Sequence, residues 1–545
     1  MRSLPRLLLF ASALLAAPLS AQSPGVRAGI DSIFSRWTTS TPGCAVGVAQ
    51  RGAVLLTKGY GMSSLEYGIA LGEEAVLESG SVAKQFTSAA LALLQLEGKL
   101  SLDDDIRRHV PEVPSFGGQT ITIRHLLTHT SGLRDQWGLL SLTGNPPTTQ
   151  VHTLALILHL VSRQQDLNFP VGSEYLYSNT GYALAAIIVQ RVSGQSLAQF
   201  SKERFFAPMG MTKTQWRDDF QRIVPGRATA YQRQASGSYA QLMPFTNVYG
   251  NGGLLTTVGD MLKWNEALAN GTIPGGKALI TLLESRQRLT GGQTIAYALG
   301  LSHGSWQGHR HISHSGSTAG YATYLTRFPD DGVSIAVFCN TSDANPTGDA
   351  YQIASRLMPG SQAAATPIDA DTAAMRAVAG RYRSPKTDEL ADFSVRASGL
   401  ALRTPVGGGT ASRISASTWR ASSGATFSFS GTPGHRLVDV ADADGVTERY
   451  TEVLPPNAES LRLQDYVGSY QSPELGVRYE LAVQNGQLVL RFPPQSDERL
   501  TPWYADGFTG AGRSVRFVRN GAGRVTELQI FAGRVRRVRF ERVGT

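Results

Sequence analysis

Cysteine is almost absent from this chain of 545 residues, which holds only Cys44 and Cys339. Two thiols are too few for a disulfide-stapled scaffold or a cysteine-based zinc site. Each lies in a strand-like run, Gly43-Cys-Ala-Val-Gly-Val and Val333-Ser-Ile-Ala-Val-Phe-Cys. Two buried free thiols are therefore the leading expectation, with a single disulfide as the alternative in an oxidising compartment. Long apolar runs are also missing, and nothing is long enough to span a bilayer. The apolar stretch at 7–17 follows Arg2 and Arg6 and precedes Leu19-Ser20-Ala21. That pattern predicts a secretory signal over 1–21 and export to the periplasm or the medium, with no transmembrane segment. Charge of one sign is not concentrated either. The net charge is +9, but basic residues are scattered, and residues 461–545 carry 13 Arg against 8 Asp plus Glu. The alternating stretch Arg534-Val-Arg-Arg-Val-Arg reads as a solvated sheet face, and no nucleic-acid-binding motif accompanies it.

At 41% hydrophobic and 17% charged residues, the composition is globular, and the length implies more than one domain. Helical patterns are expected over 26–37, 85–97, 183–192 and 258–269. Strand patterns are expected over 45–49 and 53–59, and again over 297–302, 310–313, 322–328 and 333–339. Strands at both ends with helices between predict one sheet completed by both ends of a domain at 22–360, with helices on both faces. A linker follows at 361–375. Helical periodicity then vanishes and a repeat appears: Ala379-Gly-Arg-Tyr-Arg-Ser-Pro recurs as Val467-Gly-Ser-Tyr-Gln-Ser-Pro, and Leu400-Ala-Leu-Arg as Leu488-Val-Leu-Arg. Two related all-β modules, 376–456 and 463–545, follow from it, each a small barrel or half-barrel.

Three short stretches carry candidate chemistry. In Ser81-Val-Ala-Lys84, a serine expected to open a helix stands one turn from a lysine. A serine hydroxyl needs a base at neutral pH, and an amine whose pKa is lowered by burial can be that base. Tyr177-Ser-Asn179 places a phenol and an amide just before a helix, where one can share a proton and the other bind a carbonyl. His314-Ser-Gly316-Ser317 starts a strand at which glycine allows close backbone approach to a reacting carbonyl. Other motifs carry less. Ser302 in Gly300-Leu-Ser-His-Gly304 matches a nucleophile elbow but is followed by turn and strand rather than helix, and it stands as a rival nucleophile. His125 and His129 lack the zincin glutamate and read as packing and capping residues. His309 and His311 have no acidic ligand nearby in the sequence, so no metal is expected there.

Together the three stretches resemble the penicillin-recognising serine hydrolases, which include class C β-lactamases, DD-peptidases, D-aminopeptidases and family VIII esterases. The ordered elements Ser-x-x-Lys, Tyr-x-Asn and Lys/His-x-Gly are matched by Ser81/Lys84, Tyr177/Asn179 and His314/Gly316. Their contexts match too: His125-Leu-Leu-Thr-His-Thr-Ser-Gly-Leu133, Tyr177-Ser-Asn-Thr-Gly-Tyr182 and His314-Ser-Gly-Ser-Thr-Ala-Gly-Tyr321. The resemblance spans roughly 28–345. It implies an α/β (α+β) β-lactamase-like domain with an antiparallel sheet flanked by helices. It also implies Ser81 as nucleophile, Lys84 and Tyr177 as shared base, Asn179 as substrate amide ligand, and the backbone N–H groups of Ser81 and Ser317 as oxyanion hole, without metal or cofactor. Many β-lactamases of this family carry lysine where His314 stands, and a histidine is only partly charged near neutral pH. That departure favours a D-aminopeptidase, DD-peptidase or esterase type, acting on a small peptide, amide or ester substrate, including peptidoglycan-derived ones. The alternative is a catalytically silent envelope-binding or scaffold protein of the same fold.

Overall fold

The computed structural model describes residues 24–145, 150–358, 372–397, 399–404, 407–421, 424–441, 447–457, 461–492, 497–510 and 512–544. The expected signal at 1–21 and most of the expected linker lie outside the described residues. A six-stranded sheet takes β1 (Cys44–Gln50) and β2 (Ala53–Tyr60) from the start of the chain. The other four strands are β3 (Ser302–Trp306), β4 (His309–Thr318), β5 (Tyr321–Phe328) and β6 (Val333–Cys339). Their order is β3-β4-β5-β6-β1-β2, and all neighbours are antiparallel. The helices that position the site and cover the sheet are α1 (Pro24–Ile33), α2 (Lys84–Leu96), α3 (Asn179–Ser193), α4 (Val258–Asn270) and α5 (Pro346–Leu357).

Period-two alternation explains why β1 and β6 read as unbroken apolar runs. Val46, Val48, Ile335 and Val337 pack with Ile30 of α1 and Ile353 of α5, while Ala45, Ala336 and Phe338 join the larger core that holds α2, α3 and α4. Both faces are buried, so both must be apolar. Gly47 is what lets α4 lie flat on β1, since a Cβ there would come within 3.1 Å of Val258 and Leu262. In the β1–β6 ladder Cys44 faces Cys339, and the two are disulfide-bonded. This overturns the expectation of free thiols. The reason is topological: strands 295 residues apart in sequence are neighbours, which no spacing reveals.

Beyond residue 358, α6 (Thr372–Val378) enters the first of two closed eight-stranded antiparallel barrels. The expected linker, 361–375, therefore ends in helix from Thr372 rather than running irregularly to 375. Strands β7 (Gly380–Arg383) to β14 (Thr447–Glu452) form the first barrel, and β15 (Gly468–Gln471) to β22 (Val535–Val543) the second. The sequence repeat has a structural meaning. Tyr382 and Tyr470 are both fully buried in the first strand of their barrels, and their hydroxyls donate to the carbonyls of Val378 and Tyr466, four residues back. The repeated Leu400/Leu402 and Leu488/Leu490 fill the two barrel interiors.

The second barrel is docked on the first domain. Leu139 and Leu142 pack into its core, and Tyr479 Oη donates to the Leu142 carbonyl at 2.6 Å. Arg134, which is fully buried, pairs with Glu474 at 2.8 Å and donates to the carbonyls of Arg536 and Arg537. Asn168 Nδ2 donates to the Arg534 carbonyl at 3.0 Å, and its Oδ1 accepts from the Arg536 N–H at 2.8 Å. The hairpin of β21 (Val525–Ala532) and β22 is thus an interface, not the solvated face its Arg/Val alternation suggests. The buried Arg536 ends on Glu174 at 3.0 Å.

Three measurements follow. Thiol titration of the denatured protein should find no free thiol before reduction and two after it. Replacing both cysteines by alanine should cost about 2–4 kcal/mol of unfolding free energy in urea. Glu474→Ala, which strands the buried Arg134 guanidinium, should weaken barrel docking by about 3–5 kcal/mol. Calorimetry should then show the barrel melting ahead of the first domain, and an unchanged single transition would count against the clamp.

Candidate active site

Ser81 does not open α2. It sits in a 3-10 turn, Gly80–Ala83, and α2 begins at Lys84. Gly80 imposes this with φ +51°, and a Cβ on it would come within 2.6 Å of the Ser317 nitrogen. Gly316 is equally constrained, since its Cβ would meet the Ser79 carbonyl at 2.1 Å. Two glycines therefore let the Ser81 turn press against β4, and the Ser317 backbone nitrogen lies beside that turn. Thr323 Oγ1 locks the contact by donating to the Ser79 carbonyl at 2.8 Å.

Lys84 is fully buried. Its Nζ lies 3.0 Å from Ser81 Oγ and 2.9 Å from Asn179 Oδ1, and it also donates to the Asn251 carbonyl. Two of these three partners can only accept, so a neutral amine donates to both and turns its lone pair to the Ser81 hydroxyl. Burial holds the pKa of Lys84 well below the ordinary lysine value, and the positive charge of Arg534 pushes the same way, against Asp135. The amine is thus poised as a base.

Asn179 opens α3, and Asp135 fixes it: one carboxylate oxygen accepts from the Asn179 backbone N–H at 2.8 Å and from its side-chain amide at 2.9 Å. The other oxygen of Asp135 caps the helix Gln136–Leu142 by accepting from Trp137 N–H. The amide oxygen of Asn179 is consequently turned to Lys84. Tyr177 presents a half-buried ring and a buried hydroxyl. Its phenol is raised above the ordinary tyrosine range by burial, with the Ser81 hydroxyl and Arg534 pulling the other way. The Tyr177–Ser81 approach falls short of full hydrogen-bond geometry, leaving the phenol oxygen unsatisfied. Lys84 Nζ is 4.8 Å from the centre of the Tyr177 ring.

His314 is buried, and its pKa is pushed down to about 3 by burial and by Lys84. The imidazole is therefore neutral near pH 7, not partly charged. Nδ1 donates to the Ser315 carbonyl at 2.6 Å, leaving Nε2 to accept from Tyr297 Oη at 2.8 Å. The other histidines have other tasks. His125 closes a capping box with Thr122, and His129 packs against Tyr177 at 4.0 Å while its Nδ1 accepts from Ser178 N–H. His309 does meet a carboxylate, Asp331 at 3.0 Å, which arrives from the turn after β5. Ser302 begins the edge strand β3, paired with Ser313, so no strand-to-helix elbow forms around it.

The structure thus brings Ser81, Lys84, Tyr177, Asn179, His314, Gly316 and Ser317 to one place. Sequence reasoning missed Asp135, Asn251, Tyr297 and Arg534. Asn251 had a signal, the glycine-rich Tyr249-Gly-Asn-Gly-Gly turn, and Asp135 lies two residues beyond Leu133. Tyr297 and Arg534 had none, because one is an ordinary core aromatic and the other comes from a different domain.

A buried neutral histidine makes stability pH-dependent. The unfolded imidazole titrates near 6.5 and the folded one near 3, so the contribution of His314 is complete above pH 6.5 and is lost as the pH falls towards 3. Unfolding free energy should fall by up to about 1.4 kcal/mol per pH unit through that window from this group. Urea melts between pH 4 and 7 should show a shallower slope for His314→Gln.

Comparison with known proteins bears on the family and the fold. Residues 30–357 match the Beta-lactamase family model, and 454–542 match a domain of unknown function, DUF3471. The chain is 29% identical over 313 residues to Penicillin-binding protein 4* of Bacillus subtilis, covering 54% of this chain and 67% of that one. It is 28% identical over 323 residues to a D-aminopeptidase of Brucella anthropi, spanning only 58% of that relative's length and 58% of its own. A D-aminopeptidase of Cereibacter sphaeroides matches over 446 residues at 26% identity, 82% of each chain. Among solved structures, the octameric penicillin-binding protein homologue from Pyrococcus abyssi has a TM-score of 0.56 at 23% identity, covering 78% of this chain and 99% of that one. SurE has a TM-score of 0.51 at 18% identity, covering 95% of this chain and 98% of that one. At these identities the structural likeness speaks to fold alone. With its model matching well over half of the residues, the chain belongs to the Beta-lactamase family.

Proposed function

We propose that this protein is an exported serine hydrolase that forms an acyl-enzyme on Ser81 and cleaves amide, peptide or ester bonds, with D-amino acid derivatives as its substrate class. The observation that carries this reading is the buried Lys84 amine, 3.0 Å from the Ser81 hydroxyl and otherwise held by acceptors. The Ser81 proton passes to the Lys84 lone pair as Oγ attacks the substrate carbonyl. The N–H groups of Ser81 and Ser317 stabilise the oxyanion, the Tyr177 phenol gives its proton to the leaving group, and the proton held by Lys84 restores the phenol. Because burial keeps Tyr177 protonated, Lys84 is the first base and Tyr177 the relay. Water then releases the acyl group. The D-amino acid assignment draws on the D-aminopeptidase relatives and on the neutral His314, which supplies no fixed charge of the β-lactamase kind. Export rests on the segment 1–21 and accords with the Cys44–Cys339 disulfide, which an oxidising compartment would preserve. Peptidoglycan fragments are natural substrates on this reading.

Incubation with a fluorescent penicillin and with D-alanine amides and esters tests it. Ser81→Ala should abolish labelling, and both Ser81→Ala and Lys84→Ala should lower kcat by ~10³-fold or more. Tyr177→Phe should lower it by ~10²-fold or more. Equal labelling of wild type and Ser81→Ala would remove Ser81 as nucleophile.

A further inference from the structure

The second barrel does more than dock. Between β21 and β22 the chain turns at Ala532-Gly-Arg534, and this turn is held against the loop that carries Asp135. The Arg534 carbonyl accepts from Asn168 Nδ2 at 3.0 Å and from Asp135 N–H at 3.4 Å. The contact is close, since a Cβ on Gly138 would come within 2.5 Å of Val535. With its backbone anchored on both sides, Arg534 lays its guanidinium 4.5 Å from the centre of the Tyr177 ring. Its positive charge is felt at Lys84, Tyr177 and His129.

The state of that guanidinium is informative. Every other arginine of the hairpin is engaged: Arg536 pairs with Glu174, Arg537 donates to the Asn168 carbonyl, Arg539 approaches Asp166, and Arg542 donates to the carbonyls of Asp465 and Val525. Arg534 is exposed, and among the described residues its side chain has neither carboxylate partner nor hydrogen bond, only the Tyr177 ring. A guanidinium over a ring and without hydrogen bonds keeps its N–H donors free, and that fork matches a carboxylate. Meanwhile the position where a lysine would offer a fixed charge holds neutral His314, already committed to Tyr297 and Ser315. The guanidinium beside Tyr177 is thus a positive charge supplied by the barrel.

We infer that Arg534, delivered by the β21–β22 hairpin, binds the free carboxylate of the substrate, so that the preferred substrates are acyl-D-amino acids or peptides ending in a free α-carboxylate. This rests on the hydrolase reading above for its chemistry but not for its binding. The experiment separates the two. Calorimetric titration of Ser81→Ala protein with N-acetyl-D-alanyl-D-alanine and with its C-terminal amide measures carboxylate recognition without turnover. The same titration is made with Ser81→Ala/Arg534→Gln and Ser81→Ala/Arg534→Lys, with circular dichroism to check that each is folded. In parallel, kcat/KM for the acid and the amide is compared in the Ser81 protein with and without Arg534→Gln. The Ser81 chemistry is common to both substrates, so any effect of the guanidinium charge on Lys84 cancels in the ratio.

The expected result is tighter binding of the acid than of the amide. Arg534→Gln should reduce that preference tenfold or more, Arg534→Lys should restore part of it, and the acid-to-amide ratio of kcat/KM should fall in step. Equal affinity for acid and amide when Arg534 is present would overturn the inference, as would a preference that survives Arg534→Gln. Faster acylation of Ser81 in Arg534→Gln with an unchanged ratio would also overturn it, because the guanidinium would then be a plug. Carboxylate-selective binding without acylation of wild-type Ser81 would leave the inference standing and remove the hydrolase reading. Acylation without carboxylate selectivity would do the reverse.

Discussion

Everything at this site depends on a lysine amine buried without a carboxylate in contact. A charged ammonium in such a place is expensive, and the protein meets the cost by letting the group be neutral. Its surroundings enforce that choice. The Asn179 amide oxygen and the Asn251 carbonyl accept but cannot donate, and Asp135, the nearest acid, spends itself on the Asn179 amide and on the Gln136–Leu142 helix. One lone pair remains, directed at Ser81. His314 and Tyr297 follow the same logic: both are buried, both are neutral, and they satisfy each other by one hydrogen bond.

The second constraint is the docking of the C-terminal barrel on the loop that leads to the site. Arg134 and Asp135 are adjacent, and they face opposite ways. Arg134 is clamped by Glu474 and by two carbonyls of β22, whereas Asp135 orients Asn179. A displacement of the barrel therefore reaches the residue that aims the lysine's partner. The barrel is part of the active-site wall, and the Glu174–Arg536 pair adds a second tie just ahead of Tyr177.

Much of this is legible in the sequence. Strand-like apolar runs identified β1, β2, β5 and β6, and the helix ending at Gly194 follows its Ser193-Gly194 stop. The 88-residue shift between the two copies of the repeat exposed the paired β modules and left barrel and half-barrel both open; closure was decided by non-local strand pairing. The short motifs named Ser81, Lys84, Tyr177, Asn179 and His314 because those residue types must recur at fixed local spacings. Where the reading failed, the determinant was long-range. Ser81 left the helix because Gly80 had to meet β4. Cys44 and Cys339 bonded because β1 and β6 are neighbours. The Arg/Val strand was buried because another domain supplied Glu174, Asn168 and the Arg134 clamp.

The sequence by itself determined which side chains could do acyl-transfer chemistry, along with the local elements that carry them, since both are written in spacings of a few residues. Tertiary structure alone decided their protonation and their company. Burial, not residue type, lowers the pKa of Lys84 and keeps His314 a neutral donor and acceptor, and burial is a property of the whole packed chain. Likewise only folding brings Arg534 across 357 residues to the ring of Tyr177, where its charge acts on a site it does not adjoin in sequence.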